Sequence, residues 1–436
     1  MSLPVVAIVG RPNVGKSSLF NRLIRRKLAV VDPTSGVTRD RNYAMCDWNG
    51  RDFYLIDTGG MVPDSRDAME RLIFDQAEFA IHEADLIMFV VDVQVGLDQD
   101  EEQLARKLHQ VNKPIVLVAN KADDENLATG TYAFAGLGLG DALAVSATVG
   151  VGTGDLLDEI VARLPEVVED EHDEDVVRVA VLGRPNVGKS SFINALLGEQ
   201  RSIVSDMAGT TRDSVDTPFE FEGRKYVLID TAGLRRKYRV HENIEFYTNL
   251  RVTRAIDNCD IGVVLIDAVD GVTTQDQRVL QQVMDARRAS VIVINKWDLI
   301  EKDSHTADKF TVAIRDKLAR FSFLPIIYIS ALTGQRVTKV LNLVDKVNEE
   351  HHRTIPTSQL NETLRVAFER RKPPAKHGKL IQFKYVTQTE TAPPTFVFFV
   401  NRPELVDKSY LHYLANQFRN SYGFEGTPIR LKCRRK

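Results

Sequence analysis

The chain has 436 residues, of which 43% are hydrophobic and 27% charged, so it is long enough for two or three domains with separate cores. The net charge of −3 excludes a uniformly basic nucleic-acid binder, and no apolar run approaches the ~18 residues of a membrane span. Three widely separated cysteines form neither a metal motif nor a disulfide framework, so we expect a cytoplasmic protein. The chain begins directly with a strand, and we expect no signal peptide.

A phosphate-binding loop opens the chain. The apolar run at residues 5–9 predicts a buried strand, residues 19–24 predict a helix, and between them lies the sequence G-R-P-N-V-G-K-S. Backbone N–H groups of such a loop surround phosphate oxygens, its lysine reaches the β- and γ-phosphates, and its serine hydroxyl binds Mg²⁺. The residues predicted to contact nucleotide are Gly10, Arg11, Pro12, Asn13, Val14, Gly15, Lys16, Ser17 and Ser18.

The same loop occurs again 173 residues later with identical letters, and it also lies between a predicted strand and a predicted helix. A repeat of this length indicates two whole domains rather than a solenoid. The equivalent predicted contacts are Gly183, Arg184, Pro185, Asn186, Val187, Gly188, Lys189, Ser190 and Ser191.

Strand and helix patterns alternate through both halves, which predicts an α/β fold with doubly wound, mostly parallel sheets. Predicted strands in the first half cover residues 53–57, 86–91, 114–119 and 142–145, and Asn49-Gly50 predicts a hairpin turn. We place the first domain at residues 1–165, an acidic linker at 166–176 and the second domain at 177–353. The linker is expected to be extended and solvated, with an acidic patch that competes for a basic surface as the alternative.

An Asp-x-x-Gly motif follows a strand in each half, at a carboxyl end where ligands of such sheets bind. The aspartate can hold Mg²⁺ through water, and the last glycine can offer its N–H to the γ-phosphate. The motif residues are Asp57, Thr58, Gly59 and Gly60 in the first half and Asp230, Thr231, Ala232 and Gly233 in the second.

An Asn-Lys-x-Asp motif follows a later strand in each half. Its carboxylate can accept both the N1–H and the 2-amino group of guanine, which adenine lacks, so the base is predicted to be guanine. We expect the lysine stem to pack over the ring and the asparagine to tie the motif to the phosphate loop. These residues are Asn120, Lys121 and Asp123, then Asn295, Lys296 and Asp298, with Ser146-Ala147 and Ser330-Ala331 predicted to present backbone N–H groups to guanine O6.

Thr38 and Thr211 lie between the phosphate loop and the Asp-x-x-Gly motif, 173 residues apart. Each is predicted to complete the Mg²⁺ shell while the γ-phosphate is present, so Lys16, Thr38, Lys189 and Thr211 are the candidate catalytic residues. The motifs together predict two GTPases of the Ras-like P-loop class. Where such enzymes usually have a water-orienting glutamine, this chain has Met61 and Leu234, so hydrolysis must depend on another group.

Residues 354–436 differ from both halves. Helix, strand, strand, helix and strand are predicted at 359–370, 379–387, 395–401, 408–422 and 429–433. This segment has 15 Lys and Arg against six Asp and Glu, which favours contact with nucleic acid. Gly423-Phe424-Glu425-Gly426 spells the G-x-x-G clamp, but it follows a helix and precedes a strand, so we interpret it as a helix cap and a turn.

These features together resemble the Der, or EngA, family of bacterial ribosome-assembly GTPases. The resemblance rests on the doubled R-P-N-V-G-K-S loop, the T-R-D after each switch threonine and the closing G-x-P-I-R-L-K, and it covers essentially the whole chain. It implies that the third domain is KH-like and that the protein associates with the large (50S) ribosomal subunit during its maturation. It also implies K⁺ at the active site, held partly by Asn13 and Asn186, in place of an arginine finger.

We therefore expect a monomeric, cytoplasmic enzyme that hydrolyses GTP to GDP with Mg²⁺ and K⁺, with no membrane partner. Nucleotide state would set how the domains pack and whether ribosomal RNA is bound. The main alternative is a GTP-binding switch or scaffold in which one domain turns over little; a tRNA-modifying or membrane-associated GTPase is a second. The basic run Arg235-Arg236-Lys237-Tyr238-Arg239 is either a nucleotide-gated RNA or domain contact or a solvated loop.

Overall fold

The computed structural model describes residues 3–25, 43–58, 84–124, 127, 129–166, 175–199, 216–229, 244–301, 306–375 and 379–435. The chain divides into two compact units, residues 1–169 and 170–436. Among the described helices, none combines the length and the hydrophobicity that crossing a bilayer requires.

The first unit contains a six-stranded sheet in the order β2-β3-β1-β4-β5-β6. Its strands are β1 (Val5–Val9), β2 (Tyr43–Trp48), β3 (Arg51–Asp57), β4 (Leu86–Asp92), β5 (Ile115–Asn120) and β6 (Leu143–Val145). Strand β2 is antiparallel to β3, and the other pairs are parallel. The helices are α1 (Lys16–Arg25), α2 (Gln99–Leu108) and α3 (Thr153–Arg163), with a 3₁₀ helix at Gly130–Leu137.

The hydrophobic pattern explains this sheet. Every residue of β1 and β4 is buried, as expected for central parallel strands covered on both faces. The predicted strands agree with β3 to β6 within two residues. Asn49 and Gly50 both have positive φ, 51° and 77°, so the predicted hairpin turn between β2 and β3 is confirmed.

The second unit repeats the architecture in a sheet of order β12-β11-β10-β7-β9-β8, with β8 antiparallel to β9 and the other pairs parallel. The strands are β7 (Val176–Leu182), β8 (Thr217–Phe221), β9 (Arg224–Ile229), β10 (Ile261–Asp267), β11 (Ala289–Asn295) and β12 (Ile326–Tyr328). The helices are α4 (Lys189–Glu199), α5 (Ile244–Asn258), α6 (Thr274–Asp285), α7 (Thr306–Lys317) and α8 (Lys339–His351). The predicted pair of doubly wound sheets is therefore confirmed.

The rest of the second unit has the predicted order helix, strand, strand, helix, strand. These elements are α9 (Thr357–Arg370), β13 (Phe383–Glu390), β14 (Thr395–Val400), α10 (Lys408–Tyr422) and β15 (Arg430–Arg435), in a sheet of order β13-β14-β15. The prediction that β13 begins at residue 379 was wrong. The Asn401 side chain bonds Gln382 N and Leu380 O, so a side chain replaces the strand partner there.

The G-x-x-G segment joins this small α+β domain to the preceding sheet. Gly423 caps α10 with φ of 90°, which confirms the helix-cap interpretation. Gly426 N donates to Phe323 O (2.8 Å), and Gly426 O accepts from Ser290 N (2.7 Å). A Cβ on Gly426 would lie 2.5 Å from a methyl carbon of Val347, so only glycine fits this contact. The segment therefore packs against protein along its backbone.

His351 is buried at the same junction. Its Nδ1 lies 2.5 Å from Thr427 Oγ1, and its carbonyl accepts from Ala392 N at 3.0 Å. Burial, with the nearby charges of His352 and Arg288, lowers the pKa of His351 to about 3. The folded junction therefore holds the neutral imidazole, and protonation opposes folding.

We predict that acid destabilises the second unit through His351. In the unfolded chain histidine has a pKa of about 6.5, so the unfolded state binds this proton first as pH falls. The free energy of unfolding should therefore fall by about 2 kcal/mol from this group between pH 7 and pH 5. Urea unfolding followed by Trp297 fluorescence in a Trp48→Phe background measures it.

The His351→Asn variant keeps a hydrogen-bonding side chain that does not titrate. Between pH 7 and pH 5 its free energy of unfolding should therefore fall by about 2 kcal/mol less than that of the wild-type protein. The exposed neighbour provides the control, because His352→Asn should retain the wild-type slope. Equal slopes for wild type and His351→Asn would show that this imidazole is not held neutral.

Candidate nucleotide-binding sites

The first phosphate loop connects β1 to α1. Lys16 is buried, and its Nζ donates to the carbonyl oxygens of Gly10 (2.7 Å) and Arg11 (2.8 Å). Burial lowers the pKa of Lys16 to about 8, although the charge of Asp57 acts in the opposite direction. Asn13 has φ of 67° on the exposed rim of the loop. The loop thus fixes an ammonium group where phosphate oxygens would approach.

The second loop, between β7 and α4, has the same geometry. Lys189 Nζ donates to the carbonyl oxygens of Gly183 and Arg184, both at 2.8 Å, and burial lowers its pKa to about 8. Asn186 has φ of 65° and is also exposed. Identical letters therefore give identical backbone shapes in two separate places.

The last glycine of each loop is packed against the asparagine of the Asn-Lys-x-Asp motif, which we call the guanine motif. A Cβ on Gly15, which has φ of 92°, would lie 2.3 Å from Asn120 Nδ2, and a Cβ on Gly188, which has φ of 95°, would lie 2.3 Å from Asn295 Nδ2. Any side chain here would displace either the loop or the asparagine. These glycines are therefore required both by backbone conformation and by close approach.

Asn120 connects the phosphate loop to the guanine-contact strands of the first site. Its Nδ2 donates to Val14 O (2.8 Å), and its Oδ1 accepts from Ala147 N (3.1 Å). The side chain is 1% exposed, so both bonds are shielded from water. The predicted tie between this motif and the phosphate loop is present in the structure, and it extends to the Ser-Ala dipeptide.

The second site repeats this connection. Asn295 Nδ2 donates to Val187 O (2.8 Å), and its Oδ1 accepts from Ala331 N (2.9 Å). Asp298 differs from its counterpart, because its Oδ1 is buried and has no hydrogen-bond partner among the described residues. A buried carboxylate oxygen without a partner is costly, so a ligand that brings a donor would be favoured there.

Asp123 is the equivalent residue of the first site, and its Oδ1 does have hydrogen-bond partners. Ser146 Oγ donates to Asp123 Oδ1 at 2.6 Å, and Thr148 Oγ1 donates at 3.1 Å. The residue that corresponds to Thr148 in the second site is Leu332, which is 83% exposed and offers no donor. The two carboxylates are therefore held differently.

Each motif lysine is paired with an aspartate that sequence reasoning missed. Lys121 Nζ lies 2.5 Å from Asp92 Oδ2, and Lys296 Nζ lies 2.6 Å from Asp267 Oδ2. Both lysines have positive φ, 67° and 62°, and both aspartates end a central strand and are buried. Their repeat at the same 175-residue offset as the lysines was the signal that could have found them.

The loop arginines are also anchored by carboxylates that the sequence did not identify. Arg11 Nε donates to Glu101 Oε1 (2.8 Å), and Arg184 binds Asp270 (2.5 Å) and lies 3.7 Å from Asp276. Burial raises the pKa of Glu101, against the effect of Arg11. These arginines fix each loop to the first turn of α2 or α6, so their side chains have structural partners.

Part of the predicted magnesium set is described. Asp57 ends β3 and is buried, while Ser17 and Ser190 lie exposed in the first turns of α1 and α4, and Ser18 and Ser191 follow them on the exposed side. Thr58 Oγ1 bonds Ile8 O, which fixes the start of the first Asp-x-x-Gly motif. Within the described ranges, no group of three or more His, Cys, Asp or Glu could hold a metal ion.

Several predicted residues lie outside the described ranges, and so do Met61, Leu234 and residues 235–239. They are Thr38, Gly59, Gly60, Thr211, Asp230, Thr231, Ala232 and Gly233.

The two sheets, each with a phosphate loop tied to a guanine motif, define a protein of the P-loop GTPase class. A family model described as 50S ribosome-binding GTPase matches residues 5–121 and 178–296. A second, described as the C-terminal KH-domain-like domain of EngA bacterial GTPase enzymes, matches residues 354–434. The predicted KH-like third fold is thereby confirmed.

Relatives match along the full length. The chain is 50% identical over 436 residues to GTPase Der of Pelotomaculum thermopropionicum, and 49% identical over 437 residues to GTPase Der of Caldanaerobacter subterraneus, covering 100% of this chain and 99% of each relative. Aquifex aeolicus Era bound to GDP.AlF4- is 21% identical, over 60% of this chain and 93% of that one, at a TM-score of 0.31. The chain belongs to the GTPase Der family and is a GTPase, as the sequence predicted.

We predict that Asp92 positions Lys121 for the nucleotide. Asp92→Asn should weaken GDP binding at the first site about fivefold, ~1 kcal/mol, because the lysine loses a partner but remains one-third exposed to water. Titration with a fluorescent GDP analogue, in a Lys189→Ala background that silences the second site, measures the change. Asp158→Asn, which removes a carboxylate that binds the β2–β3 hairpin, is the matched control. Unchanged affinity in Asp92→Asn would rule out the positioning role.

Proposed function

We propose that both sites bind and hydrolyse GTP, and that the nucleotide state controls binding to the large ribosomal subunit during its maturation. The observation that carries the proposal is the asparagine link, present in both units, between the phosphate loop and the guanine motif. It brings phosphate-binding and base-reading groups into one site twice, within a chain of the GTPase Der family.

Asp123 and Asp298 are the residues that would select guanine. Each carboxylate would accept the N1–H and 2-amino donors of guanine, and the unpartnered Oδ1 of Asp298 supports this role. Ser146-Ala147 and Ser330-Ala331 are our proposed backbone contacts to guanine O6. Ala147 N and Ala331 N bond the asparagines, and Ser146 N and Ser330 N bond Val151 O and Gln335 O, so guanine O6 would share one of these donors in each site.

Magnesium would be held by Ser17 and Asp57 at the first site and by Ser190 and Asp230 at the second, with Thr38 and Thr211 joining when the γ-phosphate is present. When bound, the metal would neutralise charge on the β- and γ-phosphates. Lys16 and Lys189 stabilise the same charge from fixed positions.

Asn13 and Asn186 are our proposed protein ligands for K⁺. Their side chains lie on the exposed rim of each loop, and the amide oxygen suits a hard cation. Such an ion would supply positive charge where this chain has no water-orienting glutamine, because Met61 and Leu234 cannot hydrogen-bond water.

Ribosome binding is supported by the family description, 50S ribosome-binding GTPase, and by the basic composition of residues 354–436. We propose that residues 1–165 and 177–353 are the two GTPase domains, that 166–176 link them, and that 354–436 contact ribosomal RNA. We further propose that the protein acts in the cytoplasm as a monomer.

A second candidate is a protein in which one domain binds GTP and scarcely hydrolyses it. The different surroundings of Asp123 and Asp298, with Thr148 in one site and Leu332 in the other, favour unequal sites.

We predict that Lys16→Ala and Lys189→Ala each lower steady-state phosphate release at saturating GTP, because each removes the cation that stabilises the transferred phosphoryl group. The expected loss in the affected site is at least about 100-fold, so the remaining rate reports the other site. Loss in only one variant would support the second candidate. If neither variant lowers the rate, the assignment of these lysines fails.

Co-sedimentation tests the proposed partner. We expect the protein to pellet with 50S subunits in a manner that depends on whether GDP, a non-hydrolysable GTP analogue or no nucleotide is present. Isolated 30S subunits provide the control and should retain less protein. Equal pelleting with both subunits in every state would contradict the proposed specificity and its nucleotide control.

A further inference from the structure

One face of the three-stranded sheet of residues 383–435 packs against α9 and α10 in a hydrophobic core. The other face lies outside that core. Phe396, Phe398 and Val400 of β14 pack with Leu364 of α9 and Phe418 of α10. Because side chains alternate along a strand, the intervening positions of β14 lie on the opposite face. We call that opposite side the outer sheet face.

Strand register defines what the outer sheet face presents. Phe399 of the central strand is paired with Tyr385 of β13 and with Arg434 of β15, so these three side chains form one row across the sheet. The next rows are Thr387, Val397 and Lys432, then Glu390, Thr395 and Arg430. One edge of this face is therefore basic, and one end carries aromatic rings.

The aromatic pair has the geometry of a stacking platform. The rings of Tyr385 and Phe399 are parallel within 11°, with centroids 4.3 Å apart. Both side chains are half-buried and Arg434 is exposed, whereas Val397 in the next row is 2% exposed. The accessible part of the face is thus the row that contains the ring pair and Arg434. Stacking between the two rings covers one side of each, so a further ring can extend the stack.

Three cations follow one another along the basic edge. Arg430, Lys432 and Arg434 alternate on β15, so neighbouring members are ~6.7 Å apart along the strand. Glu390 is the only acidic residue in the sequences of the three strands, and it binds Lys432 at 3.1 Å. Arg287 lies near enough to Arg430 for that charge, together with burial, to lower the pKa of Arg287, so a further guanidinium is close to this end of the edge.

The G-x-x-G segment does not compete for the same role. Gly426 bonds Ser290 and Phe323 through its backbone, and Phe424 is fully buried. Its backbone groups therefore contact protein, where a nucleic-acid clamp would need them free to approach phosphate.

We infer that the outer sheet face binds single-stranded RNA, with a base stacked on the Tyr385–Phe399 pair and phosphates along Arg430, Lys432 and Arg434. This inference rests on the proposed ribosomal RNA partner and names the RNA class and the surface. A stack of this kind requires an unpaired base, because bases in a duplex cover each other's faces. The row of cations requires a regularly charged chain, which an extended RNA backbone provides.

Fluorescence anisotropy of the full-length protein with a 12-nucleotide unstructured RNA tests the inference. Phe399→Leu and Tyr385→Leu keep apolar volume but remove the rings, so each should weaken binding at least about fivefold. Tyr385→Phe keeps the ring and should bind like wild type. Arg434→Gln should weaken binding and reduce the slope of log affinity against log salt by about 0.7. A hairpin duplex of equal length should bind more weakly than the single strand.

The control removes a cation from the helical side of the same domain. Arg365 on α9 is paired with Glu362 and Glu369, so Arg365→Gln should leave RNA affinity unchanged. The inference is overturned if the leucine variants, shown to be folded by thermal unfolding, bind RNA like wild type, or if the duplex binds equally well. In that case co-sedimentation of the wild-type protein with 50S subunits would leave the proposed function intact. If the wild-type protein does not co-sediment with 50S subunits in any nucleotide state, the proposed function fails as well.

Discussion

One buried asparagine in each GTPase unit holds the site together. Asn120 and Asn295 each donate to the phosphate loop and accept from the alanine N–H that follows the guanine-contact strand. The loop glycine packs against the same amide so closely that no side chain fits between them. The phosphate loop and the guanine motif are therefore joined directly, and we propose that this connection makes the site select a whole nucleotide.

The strands that carry these motifs also meet the KH-like fold within the second unit. Strand β11 begins next to Ser290, which donates to Gly426, and it ends at Asn295 in the guanine motif. Arg419 lies over the ring of Phe323, with its guanidinium carbon 3.7 Å from the centroid, shortly before β12 leads to Ser330. The small domain thus packs at the ends of β11 and β12 opposite the nucleotide motifs.

The sequence predicted the structure well where a residue pattern permits only one backbone conformation. Identical loops gave positive-φ asparagines at both positions, and the apolar runs predicted the two doubly wound, mostly parallel sheets and the order of elements in the third fold. It was uninformative where partners come from distant strands. Asp92 for Lys121, Glu101 for Arg11 and Thr148 for Asp123 are contacts that depend on three-dimensional packing. The start of β13 was misplaced for the same reason, because the amide of Asn401, and not strand propensity, decides where pairing ends.

Isothermal titration calorimetry of the purified protein with GTP and with ATP tests the central claim most directly. We predict that GTP binds at two sites and that ATP binds at least about 10⁴-fold more weakly, because adenine leaves the carboxylates of Asp123 and Asp298 without donors. ATP binding as tight as that of GTP, or no binding of either nucleotide, would contradict it.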